Sequence, residues 1–146
     1  MHELQNEFLS INVNSIGAEI SSLKNLETWI EHLWQGNPEF WASQAPNLFP
    51  VIGVLKNGEY IFDGKTYKMP KHGFIRYNEE IKFKEKTSNS LAFQLEYSEK
   101  TLEIYPSGRF CRNIPGFRNV FFFARGKQGQ RGVLTIRVGE NLGGQL

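Results

Sequence analysis

The 146-residue chain carries 17 Lys and Arg against 15 Asp and Glu, a formal net charge of +2, and a single cysteine, Cys111. One domain of this size buries roughly two-thirds of its unfolded surface. No apolar run approaches the ~20 residues that span a bilayer, Glu3 and Glu7 do not fit a secretory signal, and a lone thiol excludes an internal disulfide framework, so a cytoplasmic location is expected.

Charge is unevenly spread. Residues 1–106 hold fourteen acids against ten bases, nine of them Lys, and come to −4. From Ser107 onward the bases are Arg109, Arg112, Arg118, Arg125, Lys127, Arg131 and Arg137, with Glu140 the sole acid, for +6; eight of the fourteen glycines fall there too. Two parts are therefore expected: a domain over 1–106 and a basic, Gly- and Arg-rich tail over 107–146. His2 is expected to be terminal and disordered.

From Glu7, Phe8, Ser10 and Asn12 alternate with Leu9, Ile11 and Val13 and predict a strand; Ser15 to Gly17 turns the chain into a second strand from Ala18 to Leu23. Trp29, Ile30, Leu33 and Trp34 predict a third strand-like piece, with His32 a structural or rim histidine. Asn37 before Pro38 reads as an N-cap and first helical position, opening a short helix through Phe40 and Trp41. Trp34 and Trp41 are expected in core packing, although aromatic faces also stack on sugar rings. Pro46 and Pro50 make Ala45 to Gly53 a shaped loop, because neither can donate to a ladder.

Glu59 to Phe62 and Thr66 to Met69 flank Asp63-Gly64 and spell a hairpin. It delivers the chain to Met69, Pro70, Lys71, His72, Gly73, Phe74, Ile75 and Arg76. If that stretch is extended, His72, Phe74 and Arg76 point the same way. An imidazole hydrogen-bonds sugar hydroxyls, and a guanidinium offers five fixed donors. The pair would form half of a polar site, although one His near one Arg also arises by chance as a solvated rim.

Ile81 and Phe83 then alternate with Lys82 and Lys84. A polar turn over Thr87 to Ser90 leads to Leu91, Phe93 and Leu95 on one face, and Leu102 to Tyr105 predicts another strand. Roughly eight strands and one short helix before Pro106 give an all-β chain, most simply an antiparallel sandwich. Beyond Ser107 alternation fails. Phe117 to Ala124 and Val133 to Val138 remain as candidate strands in an otherwise irregular tail.

No phosphate loop, dinucleotide fingerprint, nucleophile elbow or metal-spaced His and Cys cluster occurs, and no cofactor or metal is called for. Arg125, Gly126, Lys127, Arg131 and Gly132 could attract nucleic acid. Phe121, Phe122 and Phe123 are clustered rather than interleaved with bases, however, so no nucleic-acid partner is expected.

Several of these stretches together resemble the aldose 1-epimerase, or galactose mutarotase-like, superfamily, in the bacterial branch related to the lactose-operon protein. The matching residues are Ser15 to Leu23, Leu33 to Trp41, Ala45 to Pro50, Lys56 to Gly58, Tyr60, Asp63 to Lys65, Tyr67 to Pro70 and His72 to Arg76. The resemblance implies a large β-sandwich with a sugar cleft, a small aldose as partner, and interconversion of its α and β anomers. One group takes the C1 hydroxyl proton while another protonates the ring oxygen, so the ring opens and recloses. It implies His72 as a catalytic and substrate-binding residue and Arg76 as a substrate-binding residue. The family's second His and its Glu, both in the C-terminal half of full-length members, have no counterpart here. Val54 replaces a common Arg.

Family members run to roughly twice this length. Read one base out of frame, the degenerate codons after Ser107 permit a normal alternating strand, so a frameshift is expected as the tail's origin. An incomplete sandwich would leave sheet edges open to self-association.

Overall fold

The structure, a computed structural model, describes residues 1–106 and the backbone of two later strands, 120–125 and 133–138. In chain order the described strands and α-helix are β1 (His2–Gln5), β2 (Leu9–Val13), β3 (Ile20–Asn25), β4 (Glu59–Phe62), β5 (Lys65–Lys68), β6 (Lys82–Lys86), β7 (Leu91–Glu96), α1 (Glu99–Ile104), β8 (Val120–Arg125) and β9 (Val133–Val138), with 3-10 turns at Ile16–Ala18 and Lys56–Gly58.

Every strand pair is antiparallel, as expected of an all-β chain. One sheet runs β1-β2-β3, a second is the hairpin β4-β5, and a third runs β6-β7-β9-β8. The first and third sheets share a single core. Leu4 of β1, Ile11 and Val13 of β2, and Leu91, Phe93 and Leu95 of β7 join Ala18, Phe49, Ile75 and Ile81 in one buried cluster. That is the sandwich, and alternation in β7 puts three of its large apolar side chains on the inner face.

The hairpin forms as its turn chemistry dictates. Asp63 and Gly64 adopt φ of 49° and 73°, a conformation whose twist matches the flanking strands, with Phe62 opposite Lys65.

Four expectations need correction. His2 is ordered as the first residue of β1, and its ring stacks on Phe83 at 4.3 Å and meets Phe93 edge-on at 5.3 Å, joining the two sheets. Trp29 to Trp34 is a loop rather than a strand: Trp29 has φ of 60°, and the Glu31 carboxylate takes the Leu33 N–H that a ladder would need. Asn37 does cap, accepting from the Glu39 N–H through its side chain and from Phe40 and Trp41 through its carbonyl, but the turn ends there and no helix follows.

The helix lies instead at α1, where a strand was expected from Leu102. Ser98 and Thr101 exchange side-chain and backbone hydrogen bonds in a capping box, which starts a helix over the short apolar run. In the tail, the candidate strand Val133 to Val138 is β9, and the candidate Phe117 to Ala124 overlaps β8. The β8 and β9 strands extend the third sheet from β7, with Phe93 opposite Ile136 and Phe122 opposite Ile136 on its other side. The rest of the basic segment, including Cys111, Lys127 and Arg131, lies outside the described residues. No described helix is long and apolar enough to cross a membrane.

Candidate functional site

The stretch after the hairpin is not extended, so its side chains do not follow a strand's alternation. His72 and Gly73 both take positive φ, 70° and 75°. The bend is set by backbone bonds on either side: the His72 N–H donates to Gly53 O at 2.8 Å, Gly73 to Pro70 O at 2.9 Å and Phe74 to Phe49 O at 2.9 Å. Phe49 and Gly73 also form a parallel bridge. A histidine in the left-handed region is strained unless its surroundings over-determine it. Here three bonds do so.

His72 is half-buried, and its Nδ1 is hydrogen-bonded to the Ile52 carbonyl. A carbonyl can only accept, so Nδ1 carries the proton and the neutral ring keeps Nε2 as an acceptor. That nitrogen can take a hydroxyl proton, or donate once the ring is charged. The ring is thus oriented by the loop carrying Ile52, and its chemistry is left at Nε2.

Arg76 is tied to another limb of the same loop. Its Nη2 donates to Ser43 Oγ at 2.8 Å, and its Cζ lies 4.8 Å from the centre of the Tyr77 ring, within cation–π range. Nε is buried with no hydrogen-bond partner among the described residues. Main-chain contacts fix the backbone here. Gly17 N–H donates to Asn78 O at 3.0 Å, and a Cβ on Gly17 would stand 2.4 Å from Arg76 O. Asn47 donates to the carbonyls of Gly17 and Ala18 at 2.9 and 2.8 Å, locking the loop against the same turn.

Aromatic surface lies beside Ser43 in sequence. Trp34 and Trp41, expected in the core, are 43% and 46% exposed, because Trp34 Nε1 donates to Trp41 O at 2.7 Å and closes a small loop that turns both rings outward. Phe40 packs edge-on against Trp34. His32 is exposed. Val54 is 68% exposed and offers no donor.

Glu31 is the most heavily engaged carboxylate of this loop. It accepts from Ser22 Oγ at 2.5 Å, Leu23 N–H at 2.8 Å and Leu33 N–H at 2.9 Å. Burial alone would raise its pKa, but those three bonds and nearby Lys24 outweigh burial and hold it below the ordinary 4.5. Sequence reading missed Ser43, Tyr77 and Glu31. Only the placing of Tyr77 directly after Arg76 could have hinted at its role; Ser43 acts across 33 residues.

A two-sheet antiparallel sandwich, with a hairpin leading to a bent His-Gly turn and a loop folded back over it, defines a galactose mutarotase-like fold. The sequence profile of the aldose 1-epimerase family matches residues 1–107, and the chain belongs to that family. Within it the chain is 35% identical over 108 residues to protein LacX of Lactococcus lactis subsp. lactis, in both its plasmid and chromosomal forms, over 70% of this chain and 36% of the relative.

Two solved structures agree. A galactose mutarotase related enzyme from Lactobacillus acidophilus is 40% identical, with a TM-score of 0.67 over 72% of this chain and 35% of its own. A galactose mutarotase-like protein from Lactobacillus casei is 32% identical, with a TM-score of 0.68 over 73% and 36%. The chain therefore spans about a third of the length of the relatives it matches.

Proposed function

We propose that this chain is the sugar-holding part of an aldose 1-epimerase, with His72 and Arg76 contacting a small aldose whose α and β anomers interconvert. The observation that carries the reading is the pairing, on one short bent turn, of an imidazole with its Nδ1 occupied and a guanidinium with a single hydrogen bond among the described residues. His72 Nε2 suits proton exchange with a hydroxyl or the ring oxygen. Arg76 suits binding to hydroxyls. No metal or organic cofactor enters, since proton transfer suffices. A cytoplasmic location belongs to the same proposal, supported by the single cysteine.

Turnover in this chain is weak, on this reading, because no residue answers to the family's second His and its Glu. The alternative is a carbohydrate-binding β-sandwich without turnover. It is favoured by the exposed Val54, and by a match that covers about a third of the relatives. Polarimetry on freshly dissolved α-D-galactose and α-D-glucose separates the two. A rate above buffer that disappears in His72→Ala supports the enzyme. The buffer rate in both proteins supports the alternative.

Two further parts of the proposal concern residues 107–146 and assembly. We assign the tail's composition to a reading-frame shift near Ser107; an uninterrupted gene, with no homologous sequence in either alternative frame downstream, contradicts it. Self-association would use exposed sheet edges, the outer edge of β1 rather than β3 in the first sheet, where the loop bridges Ile20 to Ala45 and Lys24 to Glu31 cover β3. Light scattering of the purified chain reads this directly.

A further inference from the structure

Arg76 poses a physical question that its own turn does not answer. A guanidinium has five donors, and buried donors are normally paired. Among the described residues Nε is buried without a partner, and the group makes one hydrogen bond, from Nη2 to Ser43. An arginine free to choose its rotamer would satisfy Nε from water or a carboxylate. It is therefore held in an orientation that its own hydrogen bonding does not select.

The holding groups can be named. Ser43 accepts from one edge of the guanidinium at 2.8 Å, and the Tyr77 ring supports Cζ at 4.8 Å. Together they fix the position of the group and the plane in which its free donors lie. Ser43 is itself delivered by a locked loop. The next residue, Gln44, donates its N–H to the Glu19 carboxylate and its side-chain amide to Ser21 O, both at 2.7 Å. On the other side, the Trp34 indole closes onto Trp41 O. A Cβ on Gly36 would come within 2.8 Å of Ala42 O, so the loop also requires close backbone packing.

We propose that Ser43 and Tyr77 are positioning residues for Arg76, holding its guanidinium in one orientation, and that Glu19 secures Ser43 through Gln44. This rests on the reading of Arg76 as a sugar ligand for its purpose, though not for its geometry. A ligand group that is already oriented loses less freedom on binding, which is how rigid support raises affinity. Ser43 and Tyr77 need not touch sugar. Their effect on it would run through Arg76.

The test follows the Arg76 side chain directly, in the full chain labelled with nitrogen-15. Hydrogen exchange at Nε–H is measured in the wild type, Ser43→Ala, Ser43→Thr and Tyr77→Leu, and each protein is titrated with D-galactose. In the wild type, Arg76 Nε–H exchanges more slowly than in a free arginine. Ser43→Ala and Tyr77→Leu each speed it by about tenfold, the loss of roughly one hydrogen bond's worth of order. Ser43→Thr keeps the acceptor and stays within about twofold. Galactose affinity falls in the same order as protection.

Unaltered Nε–H exchange in Ser43→Ala, with the fold intact by amide chemical shifts, overturns the proposal. So does loss of affinity without any change at Arg76. If the wild type binds no galactose while the exchange pattern is as described, the positioning role stands and the sugar reading of Arg76 fails.

Discussion

Phe49 and Gly73 approach so closely that a Cβ on Gly73 would lie 1.8 Å from the Phe49 carbonyl oxygen. This contact joins the proline-bearing loop to the turn carrying His72, and the Phe74 N–H seals it through the same oxygen. Position 73 combines that crowding with φ of 75°. Only glycine meets both demands.

Gly73→Ala should therefore cost about 3 kcal/mol or more, since backbone strain and displacement of the loop add together. Urea denaturation followed by tryptophan fluorescence checks this. A loss under about 1 kcal/mol would contradict the close approach.

His72 carries strain of its own at φ of 70°. Removing the ring in two ways separates backbone from side chain: His72→Gly should be more stable than His72→Ala by about 1 kcal/mol, because alanine keeps the left-handed penalty and glycine does not. Both should lose sugar affinity. Equal stability of the two variants would mean that the backbone at 72 relaxes out of the left-handed region.

Glu31 makes stability depend on acid. Its folded pKa lies below the ordinary 4.5, so its contribution is complete above pH 4.5 and is lost as pH falls through the folded value. Glu31→Ala should cost about 1–2 kcal/mol at pH 7 by leaving the Leu23 and Leu33 N–H groups unpaired. The variant should also lose less stability than the wild type between pH 5 and pH 3, on the order of the contribution already removed. Denaturation at three pH values reads both effects.

Ser98→Ala removes half of the capping box and should cost about 1 kcal/mol. The change should reach the hairpin, because Tyr60 donates its hydroxyl to Ile104 O at 2.8 Å at the end of α1. Faster amide exchange at β4 and β5 in Ser98→Ala, relative to β2, is the expected signature.

Period and turn chemistry made much of this fold legible. The alternation of Leu9 to Val13 and of Leu91 to Leu95, and the Asp-Gly turn, are local patterns that survive folding unchanged. What could not be read was decided by partners distant in sequence. Trp29 to Trp34 looks apolar and strand-like, yet Glu31 takes the backbone donors and its aromatic rings turn outward. The α1 helix was readable in principle from Ser98 and Thr101, but the alternation of Leu102 and Ile104 masked it. His2 is held by its pairing with Val13 and by rings in the other sheet, Phe83 lying 81 residues away in sequence. At the candidate site, the resemblance singles out His72 and Arg76. Their supports at Ile52, Ser43 and Tyr77 were not legible, because each depends on a loop whose path no short-range rule sets.

Whether the turn carrying His72 and Arg76 holds a pyranose is decided by saturation-transfer NMR of D-galactose and D-glucose with the wild type and with His72→Ala. Transfer to the ring protons of at least one sugar is expected in the wild type, weakened by about tenfold in His72→Ala through the loss of one well-placed hydrogen-bonding group. Equal transfer in the two proteins, or none in the wild type to either sugar, would contradict pyranose binding at this turn.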